Sequence, residues 1–161
     1  MSRRTDSVRN DPPPGGDAEH PDSEHVRPDG VDDTTVEALG KISEALETVE
    51  RARGHLYSFH QLTGTADLTL QEGTRLLREA GHVELAEQIE TDLVGRNVIP
   101  GRWTFQIVEE YDDGYWSEFR RQDRRAREML VGGRRHLYES EMKERERTPC
   151  RPGHESRPDP R

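Results

Sequence analysis

From Val36 onward the apolar residues recur every three or four positions and nowhere alternate, a spacing that admits helices and excludes sheets. Leu39, Ile42, Leu46, Val49 and Leu56 share one helix face, and Thr34-Thr35-Val36-Glu37 has the pattern of a capping box. A helix over about 34–62 is predicted, with Gly64 as its stop. Thr69 is expected to cap a shorter helix carrying Leu70, Leu76 and Leu77 and ending at Gly81. A third carries Val83, Leu85, Ala86, Ile89 and Leu93 before Gly95. Asn97 to Gly101 reads as a loop whose Val98 and Ile99 tuck under the helices. Beyond Trp103, the residues Ile107, Val108, Tyr111, Tyr115, Phe119, Ala126, Met129 and Leu130 keep to one face at about 100° per residue. That stripe predicts one long helix through Asp112-Asp113-Gly114, bending or ending at Val131-Gly132-Gly133. The fold class is therefore all-α: a helical bundle of two long helices and a short helix pair.

Polarity sets the limits of the domain. Only 29% of residues are hydrophobic and 35% are charged, close to the composition at which a chain cannot fold. The deficit is concentrated at the ends. Residues 1–30, with Pro12-Pro13-Pro14-Gly15-Gly16, and residues 148–161 read as disordered tails around a bundle domain at 31–147. The net charge of −9 argues against a nucleic-acid surface. Cys150 is the single cysteine and sits in a polar segment, which suits a reducing compartment. No apolar run has the length of a secretory signal or a membrane span, so a cytoplasmic protein is expected.

Several polar residues fall where the helices should be apolar. Arg53 and His60 lie within the stripe of the first helix, with Glu50 and Tyr57 at its edge. Glu118 and Gln122 lie within the stripe of the last. Because a buried charge is costly unless paired, an Arg53–Glu118 pair with Tyr57 and His60 nearby is expected. These six residues are candidates either for a small-ligand site or for a structural pair that sets helix register. His55 points away from the stripe. A second surface joins Tyr115, Trp116 and Phe119 to Arg120, Arg121 and Arg124. Arginine and aromatic residues dominate interface hot spots, so this face is a candidate contact for a protein partner or for self-association. Glu118, Asp123 and Glu128 are interleaved with the arginines, which also suits a solvated helix face.

Two further patterns bear on catalysis. Glu84-Leu85-Ala86-Glu87 followed by Glu109-Glu110-Tyr111-Asp112 resembles the carboxylate arrangement of the all-helical nucleoside triphosphate pyrophosphohydrolases. That resemblance implies Mg²⁺ held by Glu84, Glu87, Glu109 and Asp112, since a hard cation prefers oxygen ligands. Val83 stands where that family has a second glutamate, and the helical wheel turns Glu84 and Glu109 away from the apolar stripes. Glu79-Ala80-Gly81-His82 is half of a ferritin-like di-metal motif whose second copy is missing. No phosphate loop, dinucleotide fingerprint, nucleophile elbow or zinc helix is present. The primary expectation is a non-catalytic protein-interaction or small-ligand-binding module without metal or cofactor. The alternative is an Mg²⁺-dependent hydrolase.

The strings Arg53-Gly54-His55-Leu56-Tyr57-Ser58-Phe59-His60, Gly101-Arg102-Trp103-Thr104-Phe105-Gln106 and Met142-Lys143-Glu144-Arg145 resemble a family of small helical proteins from GC-rich actinobacteria. The resemblance implies a cytoplasmic bacterial protein and no particular activity.

Overall fold

The computed structural model describes residues 19–157. Of the expected tails at 1–30 and 148–161, residues 1–18 and 158–161 lie outside the described residues. Every regular element is helical: α1 (Asp33–Glu79), α2 (Val83–Asp92), α3 (Thr104–Tyr111), a π-helical turn (Asp112–Trp116), α4 (Ser117–Val131) and α5 (Leu137–Glu146). No described helix is long and apolar enough to cross a membrane.

The first helix starts and continues differently from the expectation. Asp32, not Thr34, is its cap: the Asp32 carboxylate accepts the backbone N–H of Thr35 at 2.8 Å, and the Asp32 carbonyl accepts Val36 N–H. Aspartate satisfies the free N–H groups of a first turn better than threonine. The helix then runs without a break past Gly64 and Thr69, so the two helices expected at 34–62 and 69–81 are one. Side chains that favour breaks are satisfied on the helix's own backbone. Ser58, Thr63, Thr65 and Thr69 donate to the carbonyls of Gly54, Phe59, Gln61 and Thr65, each four residues back. Thr69 thus serves the helix interior rather than a cap. The C-terminus lies where Gly81 predicts it. Gly81 is left-handed at φ 87°, His82 N–H reaches the Leu77 carbonyl and Gly81 N–H that of Arg78, which together form a Schellman close.

The helix from Thr104 to Val131 is continuous through Gly114, but the π-turn inserts one extra residue. A wheel counted at 100° per residue is therefore one position out beyond it. Tyr115, Met129 and Leu130, expected inside, are exposed, and Val131 and Asp123 are buried, with Trp116 half-buried. Asp123 occupies the place expected of Gln122 and accepts Ser43 Oγ at 3.2 Å. Val98 and Ile99 are also half exposed rather than tucked in.

The described residues divide into two compact units, 19–40 with 127–157, and 41–126. In the first, Val36, Leu39, Val131 and Leu137 are buried. Arg147 there donates to Glu144, to the Glu19 carboxylate and to the Glu19 carbonyl, and Arg27 donates to both oxygens of Glu141 and to Asp33. In the second, Val49, Ala86, Val108, Thr74 and Asp123 are buried. An ion pair between Arg78 and Glu90 joins the end of α1 to α2.

Two glycines of α1 separate propensity from packing. A Cβ on Gly64 would meet nothing within 4 Å, whereas one on Gly40 would lie 3.1 Å from Cγ of Tyr138. Gly64→Ala should stabilise the protein by about 1 kcal/mol, the helix-propensity difference. Gly40→Ala should yield no gain, and Gly40→Leu a loss, in thermal melts of the full chain.

Candidate functional site

In the unit of residues 41–126, the polar residues singled out in the sequence separate into three places. Arg53 pairs with Asp112, not with Glu118. Its Nε and Nη2 donate to the two Asp112 oxygens at 2.7 and 2.8 Å, the bidentate geometry that guanidinium and carboxylate favour. Tyr57 OH donates to the same carboxylate at 3.3 Å. Asp112, one helical turn after buried Val108, faces α1 at the start of the π-turn, while Glu118, beyond the extra residue, is carried outward. Glu118 is exposed and accepts from Arg121 and Gln122 on its own helix. Glu50 is also exposed.

The Arg53 guanidinium lies 4.3 Å from the centre of the Trp116 ring and 4.9 Å from that of Tyr57. Arg120 lies 4.6 Å from the Trp116 ring. Trp116 is therefore held between two cations and is not available as an open contact. Its Nε1 is buried without a hydrogen-bond partner. Of the expected arginine–aromatic face, Tyr115 remains exposed, in edge contact with Phe119. Arg121 is held by Glu118, and Arg124 is exposed.

The third place is built on His60, whose partners the sequence did not show. His60 Nδ1 lies 2.8 Å from Thr104 Oγ1. Two helical turns further along α1, Asp67 Oδ1 accepts the backbone N–H of Gly95 at 2.7 Å, and Gln71 braces its other oxygen. The segment 95–104 is thus pinned to α1 at both ends and arches over it. Gln106 accepts the Trp103 N–H and secures the start of α3. Beneath the arch lies an open cavity of about 650 Å³, walled by Ala66 and Leu70 of α1, Leu93, Val98, Trp103 and Phe105, with Asp67 and Arg96 among its polar lining. The Trp103 and Phe105 rings pack together at 5.2 Å, yet Trp103 remains 57% exposed. The spacing of His60 and Asp67 on one face was visible in the sequence, but the partners that make them pins were not.

The carboxylates considered for Mg²⁺ do not assemble. Glu84, Glu87 and Glu109 are exposed, Asp112 is engaged by Arg53, and among the described residues no group of three or more His, Cys, Asp or Glu side chains converges on a metal position. Glu79 is bound to Arg75 on its own helix. No protein-family model, curated protein or solved structure matches the chain.

The Arg53 hydrogen bonds hold the Asp112 carboxyl below its ordinary value, against the smaller opposing effect of burial. A depressed carboxylate stabilises the fold above the unfolded-state value, and that contribution is lost as pH falls through the lowered folded-state value. Asp112→Asn should lower the Tm at neutral pH by about 5 °C. It should also flatten the acid limb of the stability curve, and an acid limb identical to that of the unsubstituted protein would show that the pair does not couple to folding.

Proposed function

We propose that this chain is a non-catalytic interaction module of the bacterial cytoplasm whose 41–126 unit receives an apolar helical segment of a protein partner. The observation that carries the reading is the groove beneath the 95–104 arch. It is framed by rigid pins, lined by aliphatic and aromatic side chains, and left open with Leu93, Val98, Trp103 and Phe105 each exposed by two fifths or more. Contiguous apolar surface of this kind is characteristic of contact sites, and a preformed groove with few polar groups is the ordinary receptor for an amphipathic helix. The strings around Arg53 and Trp103 that resemble actinobacterial proteins support the bacterial assignment. The scattered carboxylates leave the hydrolase alternative without a constellation to support it.

The groove can be titrated with 1-anilinonaphthalene-8-sulfonate, following energy transfer from Trp103 in a Trp116→Phe background. Saturable binding is expected. A further Phe105→Ala, Leu70→Ser pair should weaken it at least tenfold while leaving the helical circular dichroism unchanged. Equal binding by the variants would refute the groove as the contact. A rise in Tm with Mg²⁺ and a nucleoside triphosphate together would instead favour the hydrolase.

A further inference from the structure

We propose that the partner is a second copy of this chain, and that two α1 helices pair antiparallel through a charge-free stripe that borders the groove. The inference rests on the interaction reading above: it names the partner and seats its helix along the groove's edge.

The stripe comprises Ala45, Thr48, Ala52, His55, Phe59, Leu62, Ala66, Thr69, Gly73 and Leu76. These residues follow one another at alternating steps of three and four, the heptad spacing of a coiled-coil seam. All are exposed except the half-buried Gly73, and Leu62 is 67% exposed. Of the whole chain, 35% is charged, yet none of these ten positions carries Asp, Glu, Lys or Arg. A solvated helix face of this protein would be expected to hold about three such residues at that composition. The inward seam of α1 is a different set, including Val49, Arg53, His60 and Thr74, so the stripe is a second seam on the same helix.

Its sequence is self-complementary when reversed. In an antiparallel pair, the two kinds of seam position face each other across each layer. With a two-fold axis between Phe59 and Leu62, Phe59 meets Leu62 of the second copy, His55 meets Ala66, Ala52 meets Thr69, Thr48 meets Gly73 and Ala45 meets Leu76. The large residues gather at the axis, and outward of it each layer sets a small side chain against a larger or comparable one. Beside the seam, Ser58 falls opposite Thr65 of the second copy, and Arg51, which donates to Thr48 of its own chain, falls opposite a Glu72 that Arg75 of its own chain already holds. Glu44 and Glu79, which also fall opposite each other, each already hold a cation of their own chain, Lys41 and Arg75. Ala66 belongs both to the stripe and to the groove wall, so the second helix passes along the groove's open edge. At 1.5 Å per residue and about 10 Å of width, the stripe offers about 500 Å² per copy. The total of about 1,000 Å² reaches the lower limit for a specific interface.

The test uses the full chain with Cys150→Ser. Sedimentation equilibrium at tens of micromolar should give a dimer, and Leu62→Glu, at an exposed position, should weaken it at least a hundredfold with unchanged helicity. His55→Cys and Ala66→Cys chains are then oxidised separately and mixed. The antiparallel register predicts disulfide-linked dimers from the mixture and almost none from either alone. Cross-linking of each variant with itself would mean a parallel pair and would overturn the register. A monomer at these concentrations would overturn the dimer, and if that monomer still bound the anilinonaphthalene probe in the groove, the interaction reading would stand without it.

Discussion

The extra residue inserted at Asp112–Trp116 governs the interior of the 41–126 unit. It sets Trp116 between Arg53 and Arg120 and carries Glu118 and Gln122 out to the surface, while Asp112, one helical turn after buried Val108, reaches Arg53 from the start of the turn. A π-turn gives up regular α-helical hydrogen bonding and persists where its surroundings compensate. Here Ser117 Oγ donates to the carbonyls of Asp113 and Gly114, and the bidentate pair with Arg53 anchors the first residue of the turn. Beyond it, Asp123 is nearly sealed from solvent and bonded to Ser43.

This unit is assembled with few buried apolar side chains, so named polar contacts locate its parts. His60 and Asp67 fix the two ends of the 95–104 segment, Arg78 and Glu90 fix α2 to the end of α1, and Arg53 and Asp112 fix α1 to the π-turn. Such contacts contribute modest net stability but are directional. They hold an arch open where a purely apolar contact would let it collapse onto the helix. The large apolar residues that a fuller core would have consumed remain at the surface, as Leu62, Trp103 and Phe105 show. The unit of residues 19–40 and 127–157 follows the same practice through Arg27 and Arg147.

The all-helical class and two of the helix ends were legible in the sequence because they depend on local chemistry. Apolar spacing of three and four requires no partner to be recognised. Gly81 and Gly132-Gly133 close helices by adopting positive φ, which glycine does at little cost, whereas α2 ends at Asp92 with Leu93 as its cap, ahead of Gly95. The Gly64 region is not legible in this way. A glycine flanked by threonines resembles a stop in isolation, and only the chain's commitment to one long helix brings each hydroxyl back to a carbonyl four residues earlier.

Residue spacing by itself determined that α1 carries an inward seam with Arg53 and His60 in it, because periodicity is a property of the helix alone. The tertiary structure decided their partners. Asp112 lies 59 positions after Arg53, and only the folded chain brings the two together. Likewise the arch exists only because Gly95 and Thr104 return to α1 at two points along the helix. A cavity belongs to the space between elements, and that space has no counterpart in the linear order of residues.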